Sequence, residues 1–296
     1  MPELPEVETV ARLVRPHLLG RTIVEAQVAW PRTVGGRVAG FVAAVRGARV
    51  ASVQRRAKFI RMDLQRAGRP AGALLCHLRM TGRLHVEPSA APAGDHARVL
   101  LGLDDGRTLH FDDVRKFGRF THEPDADRVL AGLGPEPLEP PFGPAWLAGA
   151  LQGRRRAIKP LLLDQAFLAG LGNIYVDESL HRAGIHPLRR SDRVRPEEAQ
   201  RLAAEVRAVL ERAIAREGAS FDTFYRTPEG REGGFQHEFR VYDRAGKPCL
   251  SCRTPIVRIV VGQRGTHLCP ACQPRRPARA ASRAPSAPAR GSRRRR

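Results

Sequence analysis

Long apolar runs are missing from this chain: no window approaches the roughly 18 consecutive apolar residues that a membrane-spanning helix requires. Missing too is the cationic-then-apolar start of a secretory signal, since the chain opens Met-Pro-Glu-Leu-Pro-Glu, so a cytoplasmic protein is expected. Cysteine is scarce, with five residues, four of them crowded between Cys249 and Cys272. An extracellular disulfide framework would spread its bridges over the fold, so a metal is the better reading. Acid is short as well: 30 Asp and Glu against 51 Lys and Arg leave a formal net charge of +21. That balance argues against binding of acidic small molecules alone and points to a polyanion, with nucleic acid the first candidate.

A chain of 296 residues with 42% apolar composition can bury one large core or two moderate ones, which excludes a disordered chain or a disulfide-stapled miniprotein. Leu4, Val7, Val10, Val14 and Leu18 share one face of a short N-terminal helix. Residues 49–54, 59–64, 73–78, 98–103 and 108–111 read as strands, several alternating with period two. Asp104-Asp105-Gly106 makes a hairpin turn between two of them. The first 131 residues therefore form an N-terminal helix plus a β-sandwich or barrel. Five prolines between Gly132 and Pro144 break regular structure and mark a linker at 132–144.

Helical spacing then covers 145–152, 160–169, 173–183 and 196–217, giving an all-α domain over 145–236. Within it, the glycine-rich segment from Gly218 to Gly234 reads as a mobile lid. A cysteine-bearing hairpin occupies 237–273. The Arg, Pro, Ala and Ser tail at 274–296 has a disordered, basic composition. The fold class is α+β with two domains.

Cys249-x2-Cys252 and Cys269-x2-Cys272, 16 residues apart, present two thiolate pairs that close on a tetrahedral Zn2+ ion. His267 is near enough in sequence to compete, but four sulfurs complete the shell. Such a site is structural, and it would hold the intervening hairpin, with Arg264 near its tip, in a fixed pose. Cys76 stands alone on an apolar strand and reads as core.

At the N-terminus, removal of Met1 exposes the secondary amine of Pro2, whose pKa near 7.7 to 8 leaves on the order of a tenth of it neutral at pH 7. A terminal amine of that kind is a ready nucleophile. Glu3 and Glu6 lie one helical turn apart and can flank it, Glu3 passing protons to and from a reacting sugar. The same Pro-Glu-x-Pro-Glu pattern also makes a good helix start, and the residues alone favour that simpler reading.

Pro2-Glu3-Leu4-Pro5-Glu6-Val7-Glu8 resembles the N-terminus of the bacterial formamidopyrimidine-DNA glycosylase (8-oxoguanine DNA glycosylase) family. The resemblance continues in the family's order through residues 54–58 (Gln-Arg-Arg-Ala-Lys), 77–82 (His-Leu-Arg-Met-Thr-Gly), 115–118 (Arg-Lys-Phe-Gly), 170–175 (Gly-Leu-Gly-Asn-Ile-Tyr), 235–237 (Phe-Gln-His) and the four cysteines. Only the basic tail lies outside it. The resemblance implies a bifunctional glycosylase and AP lyase that extrudes an oxidised purine from duplex DNA and attacks C1′ with the Pro2 amine. Strand cleavage by β,δ-elimination follows, with Glu3 as acid and base, Lys58 assisting β-elimination and Arg264 serving the δ step.

By the same resemblance, Met80, Arg115 and Phe117 fill the void left by the extruded base, with the guanidinium facing the orphaned cytosine. Singly, Met80 and Phe117 would be read as core residues, Lys58 as a strand-edge lysine and Arg264 as a solvated turn residue. Asn173 opens a helix that it can cap, leaving backbone N–H groups for a phosphate; this is the family's helix-two-turn-helix clamp. Asp177 and Glu178 fall in that helix's first turn, and Arg154, Arg155, Arg156 and Lys159 form a basic run before it. His77, His96 and Arg154 sit where the family contacts the DNA backbone, although the second histidine often found near His96 is absent. The set should act through counterion release.

The loop containing Ser220, Phe221, Asp222, Thr223 and Tyr225 matches the base-capping loop in position but assigns no base-reading residue. The expected partner is damaged double-stranded DNA, bound by a monomer with one structural zinc. Two alternatives stand beside this reading. One is an endonuclease VIII type enzyme acting on oxidised pyrimidines, against which Leu4 argues, because that type begins Pro-Glu-Gly-Pro-Glu. The other is a noncatalytic zinc-finger DNA-binding protein.

Overall fold

The computed structural model describes residues 1–220 and 225–275. Phe221, Asp222 and Thr223 of the lid segment, and the basic tail from residue 276 onward, lie outside the described residues. Helix α1 (Leu4–Leu18) leads into β1 (Ile23–Val28), α2 (Val38–Val45), β2 (Arg49–Arg56), β3 (Phe59–Arg66), β4 (Arg69–His77), β5 (Gly82–Pro88), β6 (Ala97–Leu103), β7 (Arg107–Asp113) and β8 (Arg119–Glu123). There follow α3 (Ala126–Leu130), α4 (Pro144–Leu151), α5 (Ile158–Leu162), α6 (Asn173–Ala183), α7 (Pro196–Ala215) and the hairpin β9 (Val257–Val261) and β10 (Arg264–Leu268).

The first eight strands form two antiparallel four-stranded sheets, ordered β1-β6-β7-β5 and β2-β3-β4-β8. Period-two alternation explains the packing: Ile60, Met62 and Leu64 of β3 and Leu109 and Phe111 of β7 are all buried in one shared core. Three strands escape the sequence reading. In β1 only Ile23 is buried and β8 is five residues long, so neither shows a clean apolar alternation, whereas β5 alternates Leu84 and Val86 with Arg83, His85 and Glu87 before its terminal Pro.

Helix α1 joins the two halves of the molecule. Val7, Val10, Val14 and Leu18 pack into the sandwich, whereas Leu4 belongs to the core of the helical half, with Tyr175, Leu202 and Val206. The helix expected over 160–169 is shorter, ending at Leu162. Asp164 Oδ1 accepts from Ala166 N at 3.1 Å, and this local bond competes with helix continuation. The proline-rich segment before Pro144 contains no helix or strand beyond α3, as composition predicts, yet it is no loose tether. Glu136 within it is buried and accepts from Arg55 Nη1 (2.7 Å), Arg56 Nη1 (2.7 Å) and Ala57 N (2.6 Å), fastening it to the β2–β3 turn. No helix among the described residues is long and apolar enough to cross a membrane.

Candidate active site and DNA interface

Helix α6 begins where α1 begins, and the two N-termini are built around one carboxylate. Glu3 is almost fully buried, and its carboxylate accepts from the backbone N–H groups of Ile174 (3.0 Å) and Tyr175 (3.5 Å). Those are free donors of the first turn of α6, where a helix favours negative charge. Glu6 Oε2 accepts from Glu3 N at 2.8 Å, and Glu6 also accepts from the Tyr175 hydroxyl and from Ala219 N at 2.9 Å. Two glycines make the room. A Cβ on Gly172 would lie 2.3 Å from the Glu3 carboxyl carbon, and one on Gly218, whose φ is +82°, would lie 2.8 Å from Glu6.

Burial raises the Glu3 pKa against the pull of Lys58 and the two N–H donors. Burial and the charge of Glu3 push Glu6 up to about 7. Lys58, itself buried, is shifted down by desolvation, against the attraction of Glu3 and Glu6. Two carboxyls reluctant to ionise thus face an amine reluctant to protonate, beneath a buried Pro2. The Pro2 nitrogen is an amide while Met1 is attached.

The predicted DNA-facing residues stand on turns with unusual backbone. Among the described residues eight non-glycine positions have positive φ, and four of them, Ala57, Arg79, Lys116 and Gln263, immediately precede Lys58, Met80, Phe117 and Arg264. Backbone of this kind persists only where the surroundings impose it, and here it aims each side chain. Met80 and Phe117 are 40% and 51% exposed and so are not core residues. Arg115 links them, with Nη1 3.2 Å from the Met80 sulfur and its guanidinium 4.8 Å from the Phe117 ring centroid. The three line a cleft of about 700 Å³ with Met1, Trp30 and Arg264.

Asp113, which the sequence did not single out, holds both wedge-bearing loops. It is buried and accepts from the Thr81 hydroxyl, Arg115 N at 3.3 Å and Gly118 N at 2.7 Å. The one available sequence signal was an acid just ahead of Val-Arg-Lys-Phe-Gly.

Several expectations are corrected. Asn173 does not cap α6: Gly172 holds the cap position, and the Asn173 amide donates to Gly265 O of the hairpin at 2.9 Å. The N–H groups of Ile174 and Tyr175 serve Glu3, not a phosphate. Asp177 and Glu178 lie beyond the first turn of α6 and are buried. Asp177 pairs with Lys159 at 2.6 Å, and Glu178 gathers N–H donors from Arg240, Val241 and Tyr242.

Lys159 is therefore no part of a solvated basic run. Packing between α5, α6 and β10 has enclosed it, and sequence spacing cannot show this. His77 is likewise buried: Nδ1 accepts from Arg79 N at 3.0 Å, and burial with the charges of Arg79 and Lys58 drives its pKa down to about 3. It is uncharged near neutral pH and adds nothing to counterion release. His96 is exposed, and its carbonyl accepts from Asp113 N at 2.9 Å. Arg154 is exposed at the end of α4, its guanidinium 5.2 Å from the Phe167 ring centroid.

Sγ of Cys249, Cys252, Cys269 and Cys272 all lie within 4.8 Å of one another. Separations of 3.9 Å (Cys249–Cys272), 3.4 Å (Cys252–Cys269) and 3.5 Å (Cys252–Cys272) approach the roughly 3.8 Å edge of a tetrahedron with Zn–S bonds near 2.3 Å. The soft donor set fits zinc, whose bound ion would fix the base of the hairpin. His267 is not a ligand; its backbone N–H donates to Asp177 at 2.8 Å.

Three family models match in order: the formamidopyrimidine-DNA glycosylase N-terminal domain at residues 1–120, the H2TH domain of the same enzyme at 133–225, and the zinc finger found in FPG and IleRS at 246–275. Fold, site and these matches define a zinc-finger DNA glycosylase of DNA repair. Among curated proteins, a formamidopyrimidine-DNA glycosylase of Chloroflexus aggregans is 49% identical over 278 residues, covering 92% of this chain and 98% of that one.

The solved Fpg of Thermus thermophilus superposes with a TM-score of 0.82 at 41% identity, covering 93% and 100% of the two chains. Lactococcus lactis Fpg in complex with abasic-site DNA gives 0.83 at 32% identity, covering 92% and 99%. That protein has also been solved with DNA containing Fapy-dG and an oxidised pyrimidine. The chain belongs to the formamidopyrimidine-DNA glycosylase family.

Proposed function

We propose that this chain removes oxidised purines, 8-oxoguanine and formamidopyrimidines, from duplex DNA and cleaves the strand by β,δ-elimination. The observation that carries this reading is the enclosure of Glu3, Glu6 and Lys58 beside Pro2, at a cleft into which Met80, Arg115, Phe117 and Arg264 project. Once Met1 is gone, the Pro2 nitrogen attacks C1′, forming the N–C1′ bond as the bond to the base breaks; the base departs with a proton. Glu3 supplies a proton to the sugar-ring oxygen, which opens to the iminium. Glu3, ionised once it has protonated the ring oxygen, takes a proton from C2′ and the 3′ phosphate is expelled, Lys58 stabilising the departing charge. A second elimination expels the 5′ phosphate with Arg264 beside it.

Met80, Arg115 and Phe117 occupy the vacated stack, and His77, His96, Arg154 and Asn173 contact the backbone. The protein acts as a cytoplasmic monomer on damaged double-stranded DNA. Leu4 supports the purine reading over the endonuclease VIII type: it is wholly buried in the helical core, with Gly170 cleared to admit it, so glycine there would leave a void. Intact Glu3 and Lys58 argue against a noncatalytic binder.

Borohydride trapping tests the proposal on duplexes with 8-oxoguanine opposite cytosine, 5-hydroxyuracil, or no lesion. An adduct on the oxoguanine strand mapped to Pro2, and lost in Pro2→Gly, is expected. Trapping chiefly on the pyrimidine lesion moves the chain to the alternative enzyme class, and tight binding with no adduct leaves a DNA-binding protein.

A further inference from the structure

Strands β5 and β7 pair so that His85 stands directly across from His110, and Arg83 across from Asp112. Side chains two positions apart share a face, so His85, His110 and Asp112 meet on the side of the sheet opposite the buried Leu84 and Phe111. A ring nitrogen of each histidine and a carboxylate oxygen of Asp112 lie within 4.8 Å of one another. His85 Nε2 is 3.0 Å from Asp112 Oδ2, and the two imidazoles stack 5.0 Å apart.

Two polar atoms of this cluster, His110 Nε2 and Asp112 Oδ1, are buried without a hydrogen-bond partner. Buried polar atoms are nearly always hydrogen-bonded, so two orphans within one cluster point to a missing partner. His110 is only 4% exposed. The remaining nitrogen of His85, Nδ1, lies 3.3 Å from Glu87 Oε1, the carboxylate–histidine arrangement that orients a metal-bound imidazole. Asp112 and Glu87 together outweigh Arg83, the nearby guanidinium.

We propose that His85, His110 and Asp112 form a second metal site, separate from the four cysteines, for one divalent ion of the zinc, cobalt or nickel class. Two imidazoles and one carboxylate suit such borderline ions and not magnesium or calcium, which take oxygen. Binding displaces the proton held between His85 Nε2 and Asp112, and the ion supplies both orphaned atoms with a partner. It ties together two strands whose ends carry the wedge: Met80 just ahead of β5 and Arg115 just after β7.

The test titrates the untagged, zinc-loaded full chain with Co2+, followed by calorimetry and visible absorption. One further equivalent is expected, with the weak bands of nitrogen and oxygen ligands and without intense thiolate charge transfer. In His85→Gln and Asp112→Asn, each retaining the wild-type circular dichroism spectrum, binding weakens at least about tenfold. No extra equivalent, an equivalent bearing thiolate bands, or unchanged affinity in both variants overturns the proposal.

Discussion

Lys159 and Lys58 are both sealed from solvent, yet Lys159 touches a counter-charge, 2.6 Å from Asp177 Oδ1, whereas Lys58 feels Glu3 and Glu6 only through space. Lys58 has no ion-pair contact among the described residues. Lys159 also reaches Gly265 O at 3.3 Å and so bolts the zinc hairpin to α6. The carboxylates divide the same way. Burial alone would raise Glu136, but the two guanidiniums and the Ala57 N–H around it hold its pKa below the ordinary range; Glu6, beside another carboxylate, sits at about 7. Buried charges that build the fold are neutralised by an opposite charge in contact, while Glu3, Glu6 and Lys58 at Pro2 have no such contact among the described residues and are shifted away from their ordinary pKa values.

Exchanging each lysine for methionine tests this contrast most severely. Lys58→Met should lower strand cleavage by about 10²–10⁴-fold, the range for a lost proton-transfer group, with a melting temperature at or above wild type. Lys159→Met should do the reverse: breaking a buried pair costs about 3–5 kcal/mol, read as a lowered melting temperature, with the loss falling on the hairpin that carries Arg264. Equal effects on stability would erase the distinction.

Glu6→Gln sharpens it through pH. Below its unfolded pKa near 4.5 Glu6 is protonated in both states; between there and about 7 the folded state retains a proton that the unfolded state releases. Glu6 therefore contributes a falling slope of stability as pH rises across that window, about 3 kcal/mol in all and level above it, superposed on the opposite slope from His77. The glutamine variant should lack this slope in denaturant titrations.

Gly172→Ala forces a methyl against the Glu3 carboxyl and should cost about 1–3 kcal/mol while slowing base excision. Smallest is Asp113→Ala, which frees both wedge loops: KM for lesion DNA should rise about tenfold, with little change in single-turnover chemistry on bound substrate.

Local pattern carried much of this molecule. The apolar face of α1, the alternation in β2, β3 and β7, the Asp-Asp-Gly turn and the paired cysteines are all properties of neighbours in sequence, where period and spacing act directly. The motif residues were legible through resemblance, not geometry: nothing local marks Met80 or Phe117 as exposed or Lys58 as buried. Asn173 shows the limit most clearly. Its position at the start of α6 was read correctly, but its side chain serves a carbonyl 92 residues away.

Composition and contacts within a few residues were enough for five of the eight sandwich strands, the N-terminal helix and the helix ending at Ala215, the four cysteine ligands and the basic character of the chain. Tertiary structure alone decided which charges are paired. Lys58 and Lys159 are the same residue type, and only the elements packed around each determine whether a carboxylate comes within hydrogen-bond reach, as Asp177 does for Lys159 at 2.6 Å, or stays at a distance. At low dielectric that separation decides between a structural bolt and a reactive group.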